Sequence, residues 1–145
     1  MENKEKVLFV YPTLLREGQS SKKPYKPDSL LIDISPSKKN TIILTASILL
    51  LVLKNTFITV DVYLDNEAIT LDSDSLDGFQ EVMDTTYVGD ESVIVTTAMH
   101  VSNVIFPCSG IYEIRTSLMV KNEEGVKTQV DSISCFLSVF VAGGK

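Results

Sequence analysis

Gly110-Ile111-Tyr112-Glu113-Ile114-Arg115-Thr116-Ser117-Leu118-Met119-Val120-Lys121 carries the clearest periodicity in the chain. Tyr112, Ile114, Leu118 and Val120 alternate with Glu113, Arg115, Ser117 and Lys121, the period of two expected of a half-buried strand. Asn122-Glu123-Glu124-Gly125 follows and reads as a hairpin connection, with Gly125 able to take the positive φ such turns need. The chain returns through residues 126–141, where Ile133, Cys135, Leu137, Val139 and Val141 share one face. Ser132, Ser134, Phe136, Ser138 and Phe140 share the other. Val126, Thr128 and Val130 have the opposite parity, which predicts a bulge near Asp131.

The same alternation recurs upstream. Ile58, Val60, Val62 and Leu64 predict a strand over 57–64, and Asp65-Asn66-Glu67 a tight turn into a short return strand over 68–71. Tyr87-Val88-Gly89-Asp90 reads as the turn into a further strand over 93–106, and Pro107-Cys108-Ser109-Gly110 as a corner. Nearer the N-terminus, strands are expected over 7–15 and around 30–34, separated by a flexible, basic Ser/Lys/Pro loop over 18–28. Ile42 to Leu53 is long enough for a helix, but its β-branched residues and the absence of a capping box favour a strand. Its even positions are all apolar, and Leu49, Leu51 and Leu53 make its odd side apolar as well. One sheet face cannot hide both sets, so either a loop or N-terminal arm covers the odd side, or these three leucines form a subunit interface.

Phe106-Pro107-Cys108-Ser109-Gly110-Ile111-Tyr112 resembles the aromatic-Pro-x-x-Gly-x-Tyr corner that leads into a late strand in small β-sandwich modules, immunoglobulin-like ones included. The resemblance covers seven residues and implies that Tyr112 packs inward with its hydroxyl bonded to nearby backbone. The immunoglobulin disulfide and core tryptophan are missing, since the chain has no Trp. The expected fold is therefore all-β: one antiparallel β-sandwich domain over residues 1–145, immunoglobulin-like or jelly-roll-like, of about seven to nine strands.

Composition fits a folded domain, with 44% hydrophobic and 22% charged residues in a chain of 145. Met1 to Lys6 is charged and the apolar run after it is short and broken by Pro12, so no secretory leader is expected and the cytoplasm is the expected compartment. The Ile42 to Leu53 run is too short to span a bilayer as a helix, so no membrane contact is expected. Cys108 and Cys135 read as small core residues rather than ligands or a disulfide framework.

Charge is segregated along the chain. Residues 1–54 hold nine Lys/Arg against five Asp/Glu, whereas residues 55–114 hold eleven acids and no Lys or Arg. Asp72, Asp74, Asp77, Glu81 and Asp84 fall in an expected loop over 71–86. A concentrated negative field there would attract a basic protein partner and repel nucleic acid. A solvated face neutralised by lysines from the first third accounts for the same pattern without any partner. Asp72-Ser73-Asp74-Ser75-Leu76-Asp77-Gly78 places hard oxygen ligands close together, but Leu76, Asp77 and Met83 fall where an EF-hand needs a ligand, a glycine and a bidentate glutamate. Only a weak Ca²⁺ candidate at Asp72, Asp74 and Asp77 survives.

Enzyme chemistry is thin. His100 is the sole histidine, and extended chain would hold it roughly 26 Å from Cys108 unless Pro107 bends sharply. No phosphate loop, dinucleotide fingerprint, nucleophile elbow or zincin motif occurs, and no cofactor is expected. These features predict a non-enzymatic interaction module whose acidic loop or face binds a basic partner, in the manner of phage-encoded inhibitors and accessory factors. The alternatives are an assembly subunit forming homo-oligomers through Ile42 to Leu53, and a weak Ca²⁺ or carbohydrate-binding module.

Overall fold

Alternation leaves each strand with one apolar side, and such sides are removed from water by turning two sheets toward each other. The computed structural model describes residues 5–16, 26–51, 55–69, 80–89 and 91–143, with 80–83 described in backbone only. All regular structure among the described residues is strand: β1 (Lys6–Leu14), β2 (Leu30–Ile34), β3 (Asn40–Leu51), β4 (Thr56–Leu64), β5 (Glu67–Ala68), β6 (Gln80–Val88), β7 (Ser92–Val104), β8 (Gly110–Lys121) and β9 (Lys127–Val141). They form a four-stranded sheet in the order β1-β3-β7-β6 and a five-stranded sheet in the order β2-β9-β8-β4-β5. Ile42, Leu44 and Ile48 from the first sheet join Val60, Tyr112 and Leu137 from the second in a single apolar cluster.

The β8–β9 hairpin forms as its alternation predicts. Gly125 takes φ +83, and Asn122 Oδ1 accepts from the backbone N–H groups of Glu124 at 2.9 Å and Val126 at 2.8 Å. Pairing runs from Gly110 opposite Val139 to Lys121 opposite Lys127, and the register shifts where Leu118 faces Asp131 and Met119 faces Gln129. That shift is the bulge expected near Asp131. Asp131 keeps the inward parity of β9, yet its carboxylate is satisfied, because Oδ2 accepts the Val7 N–H of β1 at 2.8 Å and lies 3.8 Å from Lys6 Nζ. It ties one sheet to the other.

Three expectations need correction. The sheets are not wholly antiparallel: β2 runs parallel to β9, with Leu31 beside Val139 and a bulge at Asp33, whose φ is 60. Residues 80–86 are strand rather than part of a 71–86 loop, because Thr85, Thr86, Tyr87 and Val88 are good strand formers and pair with β7 despite the acids before them. Of the expected loop over 18–28, residues 18–25 lie outside the described residues, and at its far end Asp28 accepts from Leu14 N at 2.8 Å and pairs with Arg16 at 3.0 Å. Cys108 is not a core residue but an exposed corner residue, and only Cys135 is half-buried.

The corner before β8 closes as its resemblance implies. Tyr112 is fully buried and its hydroxyl donates to the Cys108 carbonyl at 2.6 Å. Phe106 meets the Tyr112 ring edge-on, with centroids 4.8 Å apart. Gly110 sits close against β4: a Cβ there would lie 3.1 Å from Leu64 Cδ1, so the Leu64 side chain would have to give by a few tenths of an ångström. Burial is the main cause that pushes the Tyr112 phenol up to about 12. Since this pKa lies above the ordinary value, the neutral phenol stabilises the fold fully below pH 10, and that contribution is lost as pH rises toward 12.

Tyr112→Phe should leave the Cys108 carbonyl without its donor and lower the unfolding free energy by about 1–3 kcal/mol in urea titrations at neutral pH. The variant should also lose less stability than the parent between pH 10 and 12. Tyr87→Phe, at a position 75% exposed, serves as the control and should change neither.

Candidate functional site

A surface that attracts a partner by charge must keep its carboxylates exposed and uncompensated. Asp61 lies on β4 opposite Arg115 of β8, Asp65 follows in the β4–β5 turn and Glu67 opens β5, the last two exposed. Asp65 and Asn66 both take positive φ, 51 and 66, a conformation that Asp and Asn tolerate better than bulkier residues. Asp84 is exposed on β6, and Glu91 is exposed in the turn between β6 and β7. Two of these positions sit on the β5 side of one sheet and two on the β6 side of the other.

Those two margins fall on the same side of the molecule. β1 packs against β9 and, more weakly, β8, so the β1 end of the four-stranded sheet overlies the β2–β9 end of its partner. Strand order then brings β6 to the side where β4 and β5 lie. Among the described residues the ion pairs are Lys6 with Asp131, Arg16 with Asp28 and Arg115 with Glu113. None involves Asp61, Asp65, Glu67, Asp84 or Glu91. Of the described cations of the first third, Lys6 and Arg16 engage acids at the opposite margin, and Lys26, Lys38 and Lys39 form no ion pair with a described acid.

Arg115 stands opposite Asp61 in the β4–β8 pairing, and it is already committed. Its guanidinium bonds Glu113 at 3.1 Å and stacks 4.2 Å from the centroid of the Tyr63 ring. Glu113 also accepts from Ser134 Oγ at 2.5 Å. The Ser134 bond, and then Arg115, hold the Glu113 carboxyl below its ordinary range, while the bond to Glu113 raises the Arg115 guanidinium.

Of the acids singled out from the sequence, Asp84 is placed on the exposed β6 edge and Glu81 lies on the backbone of the same strand, near its start. Asp72, Asp74 and Asp77, including the Ca²⁺ candidate, lie outside the described residues. Among those that are described, no group of three or more His, Cys, Asp or Glu is arranged to hold a metal ion. Leu49 and Leu51 are half-buried on β3, between β1 and β7, and Leu53 lies outside the described residues. Ile43, Thr45 and Ser47, on the same odd side, are buried within the single chain, and Ile43 forms a small second cluster with Ala98.

Sequence reasoning missed β6, which among the described residues is an edge strand of its sheet. Residues Asp84 to Val88 are all exposed, and β6 has β7 as its neighbour in the sheet order. An edge strand presents backbone N–H and C=O groups to any extended chain that approaches. The signal was present in Thr85-Thr86-Tyr87-Val88, whose strand propensity was masked by the acids on either side.

His100 lies within β7 opposite Ile43, whereas Cys108 sits in the link between the two sheets. Cys135 is desolvated on β9, and burial pushes its thiol up to about 11. Alkylation with iodoacetamide at pH 8 should therefore modify Cys108 rapidly and Cys135 only on unfolding. Equal rates at both positions, read by peptide mass spectrometry, would contradict this placement. Among the described residues no helix is long and apolar enough to cross a membrane. The chain matches no protein-family model and no curated protein.

Proposed function

We propose that this protein is a non-enzymatic interaction module that holds a basic protein partner along its acidic margin. The supporting observation is that the exposed carboxylates of β4–β5 and of β6 share one side of the molecule, with no ion pair to any of them among the described residues. Covalent continuity joins those margins through the stretch that contains Asp72, Asp74, Asp77 and Glu81. A negative field of this kind speeds encounter with a basic surface, and the open β6 edge offers backbone pairing once an extended segment arrives. Inhibitors and accessory factors of the phage-encoded type act through such contacts, and the free thiols fit a reducing compartment such as the cytoplasm.

The scaffold we infer is an immunoglobulin-like sandwich. With β1, β3, β7 and β6 taken as strands A, B, E and D, and β4, β8 and β9 as C, F and G, both sheet orders match that arrangement. The Tyr112 corner at the start of β8 supports the same assignment. Assembly through Ile42 to Leu53 draws less support, since β3 is central in its sheet and half of its odd side is already enclosed.

Affinity capture from the native host tests the reading. A variant with Asp72, Asp74, Asp77 and Asp84 changed to Asn and Glu81 to Gln should lose the partners that the parent retains, and capture by the parent should weaken steeply as salt is raised. Capture unchanged by both the substitutions and the salt would remove the proposal.

A further inference from the structure

The side of the five-stranded sheet that faces away from the core carries an apolar cluster that a solvated face does not need. Strand parity sends Leu31, Tyr112, Leu137 and Val139 inward, and therefore sends Leu30, Ile32, Ile111, Phe136 and Phe140 outward. Register gathers those five. Leu30 and Ile111 flank Ser138 from opposite sides, Ile32 lies beside Phe140, and Phe136 follows two residues before Ser138 on β9. Their exposures run from 47% to 65%. Single exposed apolar residues are ordinary, but five in one contiguous patch over three adjacent strands are not.

We infer that this face is a dimer interface whose occupant is a second copy of the same chain, related by a two-fold axis close to Ser138. Area supports the assignment. Taking about 200 Å² for a whole residue of this size, the five leave roughly 575 Å² exposed, so two copies face to face would hide about 1,150 Å², above the roughly 1,000 Å² that a specific interface has to clear. Two-fold packing needs a patch that is complementary to itself, and an apolar patch is.

Charge supports it too. The chain carries a net −6, so self-association through the acidic margin is opposed by repulsion. The paired rows that hold the five side chains contain one charged residue, Glu113, which Arg115 already neutralises at 3.1 Å. Asp33, at the β2 bulge, stands at the sheet edge. A two-fold axis that passes by Ser138 along the direction of β9 would also send the β4–β5 margins of the two copies to opposite sides. The interface is therefore separate from the acidic margin, and either proposal stands if the other fails.

Sedimentation equilibrium of the full chain over a range of concentrations provides the first measurement. The parent should pass from 16.0 kDa to twice that mass as concentration rises. Phe136→Ser with Phe140→Ser should raise the dimer dissociation constant by about a hundredfold or more, since buried aromatic anchors dominate such contacts. A second measurement does not depend on that variant folding: Ser138→Cys in a Cys108→Ser background should give a disulfide-linked dimer under mild oxidation, whereas Thr86→Cys on the β6 edge in the same background should not. A parent that stays monomeric, a dimer indifferent to the loss of both phenylalanines, or a Thr86→Cys crosslink with none at Ser138→Cys would each overturn the inference. So would a monomeric parent that floats with phosphatidylcholine vesicles, since the occupant would then be lipid.

Discussion

The pairing register of β8 with β9 decides which side chains of this protein meet water. Side chains alternate with a strict period of two, so a slip by one residue would turn Tyr112, Ile114 and Leu118 outward, at about 2 kcal/mol for each apolar side chain removed from the core. Asn122 and Gly125 set that register at the turn, and the bulge opposite Leu118 and Met119 resets it once. Because the reset falls beside Asp131, a carboxylate with inward parity reaches the Val7 N–H of the other sheet instead of lying buried without a donor. The same register places Phe136 and Phe140 outside. Core, inter-sheet tether and outer patch are thus consequences of one hairpin.

The five-stranded sheet consequently changes character from one edge to the other. Leu30 and Ile32 lie on β2, Phe136 and Phe140 on β9, and Ile111 with the Glu113–Arg115 pair on β8. Tyr63 and Asp61 follow on β4, and Glu67 on β5. The apolar end adjoins the margin where β1 and Asp131 close the molecule, and the acidic end lies on the side that strand order gives to β6. Two kinds of contact can then coexist on one small domain, because the groups that would repel a second copy lie farthest from the groups that would attract it.

Much of this was legible in the sequence wherever it was written in local periodicity. Tyr112 to Lys121, the Gly125 turn and the Phe106 to Tyr112 corner each depend on neighbours a few residues away, and each took the conformation their residue types prescribe. What was not legible depends on distant partners. Nothing in Leu30-Leu31-Ile32-Asp33-Ile34 announces a parallel partner more than a hundred residues later, since either direction of pairing buries the same side chains. The acids hid β6 by lowering its apparent propensity, although propensity in a strand is mostly a matter of what the strand packs against. Cys108 was misjudged because cysteine is usually a buried residue type, while its place in a corner after Pro107 exposes it. For Asp65, Glu67, Asp84 and Glu91, sequence could identify the types but not the side of the molecule they share. That required the strand order and the packing of β1 against β9.

Phe136 and Phe140 show how a surface can be overlooked in plain view. On β9 they alternate with Ser132, Ser134 and Ser138 on one side of the strand, against Ile133, Leu137 and Val139 on the other. Serines mark that side as the wetter one, and two phenylalanines within it read as noise until β2 and β8 are placed alongside. Once Ile32 stands beside Phe140 and Ile111 beside Ser138, the phenylalanines belong to a cluster drawn from three segments distant in sequence. Folding gains little from these side chains, because they remain half exposed in the single chain. Leaving them there costs solubility, which the net charge of −6 helps to maintain. A strand that buries Leu137 and Val139 could carry serine at 136 and 140 with no loss to the core, so the core gives no reason for phenylalanine at either position. The reason has to lie with whatever covers that face.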